Sequence, residues 1–142
     1  VTEAATAIGE AEAAVARGSS PEILAVARAE RAMLHVVNNR RELARETLRE
    51  AVKAAPDSVA VRLAGSYLAQ ASFDLEAAER EADAAVGRAP RSIAALLRHA
   101  ETLIGVERHD DARAVLDAAR TIRSDHPELL LLDGFLALID RN

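Results

Sequence analysis

The fold is decided by residues 59–92, which read VAVRLAGSYLAQASFDLEAAEREADAAVGRAPRS. The stretch contains two helix-length segments joined by a short turn, and Pro90 ends the second because proline cannot continue a helix. The chain restates this pattern on either side. Its four prolines, at positions 21, 56, 90 and 127, are nearly evenly spaced. A near-constant period of about 35 residues is typical of stacked helical repeats.

Small residues follow this repeat period more strictly than the prolines. Three series each recur at one constant interval: Ala32, Ser66 and Ala100; Ala44, Ala78 and Ala112; and Ala51, Ala85 and Ala119. In the second helix of each pair, the small or apolar residues fall at i, i+4 and i+7, which is one helical face. Small side chains let two helices approach closely. We therefore predict that this face packs against the first helix of its own pair and of the next pair.

In these residues the chain resembles the tetratricopeptide repeat (TPR) family, whose motif has one small residue in the first helix, two alanines in the second and a closing proline. The resemblance covers residues 25–126 and includes Pro56 and Pro90. It departs from the motif at a position often held by tryptophan and at one usually held by leucine, which are here Arg28, Arg62 and Leu96, and Arg31, Gly65 and His99. The resemblance implies an all-α, right-handed superhelical stack of antiparallel helix pairs, with about eight helices.

We expect a single domain over residues 1–142. It comprises a half repeat at 1–20, repeats at 21–56, 57–90 and 91–126, and a half repeat or capping helix at 127–142. The helices are predicted at 2–17, 21–38, 42–55, 57–72, 74–87, 92–105, 110–123 and 127–140. Ser20 and Asp74 are predicted to cap helices, and Pro21 suits the first position of one.

Composition excludes several classes of function. The net charge is −5, with 18 basic and 23 acidic residues interspersed, whereas a nucleic-acid partner usually needs a clustered basic face. The chain has no cysteine, so it has no disulfide framework and no thiol chemistry. We expect no membrane insertion, because no run of 18 apolar residues occurs. We also expect no signal peptide in this chain, which leaves cytoplasm and periplasm open.

No catalytic constellation is present in the sequence. The histidines are His35, His99, His109 and His126. No two of them are spaced i, i+4 and cysteine is absent, so no zinc site is indicated. There is no Gly-x-Ser-x-Gly elbow and no glycine-rich phosphate loop. We therefore expect no enzymatic activity, no cofactor and no metal.

The resemblance implies a concave groove lined by the first helices, as in TPR arrays that bind a peptide or helix. The residues it implies are Val26, Ala29, Met33, Val36, Leu63, Tyr67, Gln70, Leu97, Arg98, Glu101 and Ile104. Met33 is adaptable and Tyr67 combines apolar area with a polar group, so both suit recognition. The alternative is that several of these side chains belong to the core. Arg98 alone matches the residues with which one TPR branch clamps a partner's C-terminal carboxylate, so we expect no such clamp.

The last helix is apolar on more than one face. A helix of this kind is usually covered on both sides, whereas the end of a repeat stack normally turns a polar face to water. The sequence therefore predicts an assembly surface at Leu131, Leu132, Phe135, Leu136 and Ile139. More chain, a second copy of the protein or a partner could cover it.

From these features we expect a non-enzymatic bacterial scaffold that binds a peptide or helix in its groove, or that self-associates through its terminal helix. One alternative is a regulatory or substrate-positioning arm of a larger enzyme, such as a glycosyl- or sulfotransferase. Another is a TPR segment of an envelope-assembly or polysaccharide-export protein. Acidic residues on the middle unit are expected to be solvated, with docking of a basic segment as the alternative: Glu76, Glu79, Glu81 and Asp83.

Overall fold

The computed structural model describes residues 20–140 together with residues 6, 9, 10, 13 and 18. Within that part every regular element is helical, as predicted. The seven helices are α1 Pro21–Val37, α2 Arg41–Ala54, α3 Val59–Ala71, α4 Leu75–Arg88, α5 Ile93–Gly105, α6 His109–Ile122 and α7 Pro127–Ile139. Each begins and ends within two residues of its predicted bounds. The eighth expected helix, at residues 2–17, lies mostly outside the described residues.

Two predicted helix starts are confirmed by their hydrogen bonds. At α1 the Ser20 hydroxyl accepts a hydrogen bond from the Glu22 N–H at 3.3 Å, and Pro21 holds the first helical position. At α4 the Asp74 carboxylate accepts one from the Ala77 N–H at 2.9 Å. Each bond satisfies an amide that the first helical turn leaves without a partner.

The same turn follows α1, α3 and α5. In each, one residue adopts positive φ: Asn39 at 55°, and Phe73 and Glu107 at 62°. The N–H of the next residue then donates to a carbonyl five residues earlier, at 2.8, 3.0 and 2.9 Å respectively. This is the Schellman ending of a helix, in which glycine is usual because other residues pay a steric penalty at positive φ. Here three different non-glycine residues take that conformation, each one repeat period after the last.

Each helix contacts the next one along the chain, and α1, α3, α5 and α7 also contact one another in succession. The predicted small faces of α2, α4 and α6 lie in these contacts. Their buried members are Ala44, Ala51, Ala78, Ala82, Ala85, Ala112, Leu116 and Ala119. The prediction that this face packs is confirmed, and Leu48, although partly exposed, also packs against the core.

Among the described residues, the core forms two clusters of different composition. The first joins α1, α2 and α3 and consists of Ala25, Ala29, Ala51, Val61 and Ala64. The second joins α5, α6 and α7 and consists of Leu96, Leu97, Ala100, Leu103, Ala112, Leu116, Ala119, Leu129 and Leu136. The described helices include none long and apolar enough to cross a membrane.

Candidate binding groove

An apolar cleft lies where α1, α3 and the start of α5 meet. Its volume is about 330 Å³. Met33 of α1 forms one wall, and Leu63 and Tyr67 of α3 form the other. Leu63 and Tyr67 are four residues apart and so share one face of α3. The remaining lining residues are Glu30, Val59, Ala60, Ala64 and Ala94.

The ring of Tyr67 is stacked on the side chain of a buried arginine. The guanidinium carbon of Arg98, on α5, lies 3.8 Å from the centroid of the Tyr67 ring. Arg98 is 1% exposed. A guanidinium stacked on an aromatic face in a desolvated place is attracted by the ring's quadrupole, by about 2 kcal/mol. This contact restricts the orientation of the Tyr67 ring in the wall of the cleft.

The N–H groups of Arg98 are nearly all used. Nε donates to the Ser66 hydroxyl at 2.8 Å and Nη2 donates to the Ser66 carbonyl at 3.1 Å. Nη1 donates to Gln70 Oε1 at 2.8 Å and to Glu101 Oε2 at 2.7 Å. The Ser66 hydroxyl in turn donates to the Ala78 carbonyl at 2.7 Å. A buried charge is tolerated when its donors are satisfied in this way, so the network ties α3, α4 and α5 together.

The environment of Tyr67 also sets its charge. Burial raises the pKa of the Tyr67 phenol, and the nearby Arg98 cation offsets part of this rise. The phenol therefore stays neutral at physiological pH, as a hydrogen-bonding group at the edge of an apolar cleft.

The structure divides the predicted groove residues into three groups. Met33, Leu63 and Tyr67 line the cleft. Val26, Val36, Gln70, Glu101 and Ile104 are at least partly exposed without lining it, and Ile104 packs against the core of the last unit. Ala29, Leu97 and Arg98 are each 1% exposed. These last three do not reach an open surface, because their helix faces turn toward neighbouring helices.

Sequence reasoning missed several contributors to the groove. Glu30 and Val59 line the cleft but lie outside the set implied by the TPR resemblance. Ser66 was treated only as a small residue, whereas its hydroxyl anchors Arg98. The signal available was a serine among alanines at one position of the repeat, followed just under one period later by an arginine.

The predicted assembly surface on α7 is only partly exposed. Leu131 is 70% exposed and Phe135 is 49% exposed. Leu136 is buried, and Leu132 and Ile139 pack against the core, so these three do not form an open surface. The outward apolar residues of α7 are instead Leu130, Leu131, Phe135 and Leu138.

The acidic residues of the middle unit are largely engaged within the molecule. Glu79 lies 3.2 Å from His99 Nε2 and 3.3 Å from Arg108 Nη1. Glu81 pairs with Arg62 at 3.1 Å. These carboxylates therefore have cationic or hydrogen-bonding partners in the chain itself.

Comparison with models of known protein families gave no match to this chain, and comparison with the curated proteins gave none. The resemblance to TPR proteins thus rests on the residue pattern described above.

Proposed function

We propose that the chain is a TPR-like, right-handed stack of antiparallel helix pairs that acts as a non-enzymatic protein-interaction scaffold. The observation that supports this best is the cleft between Met33 and Leu63, with Tyr67 held on Arg98 at its edge. Apolar clefts with one positioned polar group are a common way to bind the apolar face of a peptide or helix. The occupant of this cleft is a peptide or helix that inserts one or two apolar side chains.

Display of random peptides against the intact chain tests this proposal. Selected peptides are expected to share an apolar anchor. Tyr67→Ala should weaken their binding by about tenfold or more, because aromatic residues at the centre of an interface carry much of its energy. Leu131→Glu, on the exposed face of α7, is the matched control and should leave affinity unchanged. Equal binding by wild type and Tyr67→Ala would show that the cleft is not the binding site.

A second function is favoured by the exposed apolar residues of α7. In α5 the residues one repeat period earlier, Leu96 and Leu97, are buried by neighbouring helices, whereas Leu130 and Leu131 are open. We propose that two copies of the chain associate by covering this surface. An exposed apolar patch of contiguous large side chains typically marks an interaction site.

Light scattering measures this association directly. The intact chain should be a dimer or larger, and the double variant Leu131→Glu with Phe135→Glu should be a monomer of unchanged helicity. Both positions are exposed, so the variant disturbs the surface without opening the core. A monomeric intact chain would contradict self-association through α7.

A further inference from the structure

A second concave surface lies between α2 and α3, on a different face of α3 from the groove. It has two adjoining depressions that share Arg45. The first, of about 310 Å³, is almost wholly apolar at its base, where Leu48, Val52 and Leu68 lie. The second, of about 430 Å³, is polar. Both are near the lower limit of size for ligand pockets, so each suits a single large side chain.

Basic side chains form a ridge beside both depressions. Arg41, Arg45, Arg49 and Lys53 are spaced four residues apart along α2, which aligns them on one side of the helix. Arg45 and Lys53 pair with glutamates on their own helix, but such exposed pairs contribute little. Arg49 is exposed and makes no ion pair with the described residues. The ridge therefore presents a line of positive charge along one side of α2.

The polar depression contains a hydrogen-bonding group without a partner. It is lined by Asn39, Arg41, Glu42, Arg45 and Ser72. The Ser72 hydroxyl is buried and has no hydrogen-bond partner among the described residues. Buried polar groups are normally satisfied. Arg41 and Arg45 each use one N–H group within the chain, for the Ala71 carbonyl and for Glu42, and the guanidinium groups have further N–H groups that can donate to a ligand carboxylate.

The next unit shows how such a place is filled. Arg45 and Arg49 correspond, one repeat period later, to Glu79 and Asp83. There His99 of α5 lies 3.2 Å from Glu79 and 3.9 Å from Asp83. At the same repeat position, α3 has Gly65, which has no side chain to play this part. The first junction thus has the opposite charge at these two positions, and α3 contributes no side chain opposite them at the repeat position of His99.

We propose that the surface between α2 and α3 binds an acidic peptide segment, with one leucine or phenylalanine side chain on Leu48, Val52 and Leu68 and flanking carboxylates on the basic ridge. A peptide fits better than a membrane or a nucleic acid, because Glu42, Glu46 and Glu50 form a parallel acidic ridge on the same helix. A broad polyanionic surface would meet both ridges, whereas a single strand of peptide meets one. This site is independent of the groove at Tyr67.

Fluorescence anisotropy with labelled acidic peptides tests the proposal. Each peptide has aspartate and glutamate on both sides of a central residue, which is leucine, phenylalanine or, as a control, alanine. The leucine or phenylalanine peptide should bind saturably and more weakly as salt is raised, because exposed charges are screened. The alanine peptide should bind about tenfold more weakly, in line with the loss of one apolar anchor.

The matching protein variant is Arg45→Glu with Arg49→Glu, which copies the charges of the next unit. It should weaken binding of the acidic peptide by about tenfold or more, because the introduced glutamates repel the carboxylates of the peptide. It should also gain affinity for a peptide in which lysine replaces every acidic residue. Arg80→Glu, an exposed arginine on α4, and Tyr67→Ala are the controls and should bind the acidic peptide as wild type does. Methyl resonances of Leu48, Val52 and Leu68 should shift on titration with the acidic peptide.

Two results would overturn the proposal. One is the absence of saturable binding by both the leucine and the phenylalanine peptide. The other is unchanged affinity in the doubly reversed variant. Binding to vesicles of equal parts phosphatidylcholine and phosphatidylserine, without peptide binding, would assign the ridge to a membrane surface instead.

Discussion

The contact between α1 and α3 and the contact between α3 and α5 occupy the same place in two successive units. The first is made by small apolar residues, among them Ala25, Ala29 and Ala64. The second is made through Arg98, which stands one repeat period after Ala64, and its partner Ser66. The repeat therefore determines which positions of successive helices are in contact, while the residue types at those positions vary from unit to unit.

The two contacts differ in how they respond to loss of one partner. An alanine contact has no polar group to leave unsatisfied. The contact through Arg98 holds a charge out of water, and it is stable only while Ser66, Gln70 and Glu101 accept its hydrogen bonds. The difference predicts that the second contact is the easier to break by a single substitution.

The largest expected effect is that of Arg98→Ala. It removes a buried side chain and its hydrogen bonds between helices, and we expect it to lower the free energy of unfolding by about 3 kcal/mol. Arg98→Leu with Ser66→Ala copies the residues at these positions in the next contact, Leu132 and Ala100. It should lose only about 1 kcal/mol, because an apolar pair can replace a buried charge together with its buried hydrogen-bond partner. Urea denaturation measures both. An equal loss in the two variants would contradict the importance of Arg98's charge.

A smaller effect is expected at the turns. Phe73 is 86% exposed and has a φ of 62°, so it has steric strain with little burial in return. Phe73→Gly should raise the free energy of unfolding by about 0.5–1 kcal/mol. Asn39→Gly, at the same place in the first unit, should change it by only about 0.2 kcal/mol, because asparagine tolerates this conformation. Thermal unfolding of the two variants gives the comparison, and a loss of stability in Phe73→Gly would show that the aromatic ring has a structural role.

The smallest effect concerns pH and is confined to the first unit. Burial and the charges of Arg31 and Arg40 lower the pKa of His35 below its usual value of 6.5. The unfolded chain then binds more protons than the folded one, so the stability due to neutral His35 is complete above pH 6.5 and is lost as pH falls below it. The difference in stability between wild type and His35→Gln, followed by urea denaturation across this range, should shrink as the pH is lowered. A constant difference would exclude this titration.

Much of the fold could be predicted from the sequence because its signals are local and periodic. The spacing of Ala44, Ala78 and Ala112 located the packed face, and Ser20 and Asp74 located helix starts. The helix starts depend on neighbours within one helical turn, and the packed face is indicated by its recurrence in each unit.

The candidate sites were harder to predict because they depend on which helix faces which. α7 is apolar nearly all round, so its sequence has no periodicity to distinguish the buried Leu136 from the exposed Leu138. Arg98 was assigned to the groove by its repeat position, yet its side chain turns inward to Ser66. The ridge on α2 cannot be recognised as part of a site from the sequence, since only the structure shows Ser72 and Leu68 beside it.

Because the two core clusters differ in composition, the two parts of the molecule should differ in their stability against local unfolding. Burial of apolar surface contributes about 25 cal/mol per Å² to stability. An alanine side chain buries less of this surface than a leucine side chain. Segments that bury less apolar surface open at a lower free energy, so α1 and α2 should exchange their amide hydrogens faster than α5 and α6. The cleft at Tyr67 includes residues of α1, and the surface between α2 and α3 includes residues of α2. A ligand that binds at either place therefore orders the less stable helices, α1 and α2. The entropic cost of that ordering reduces its affinity.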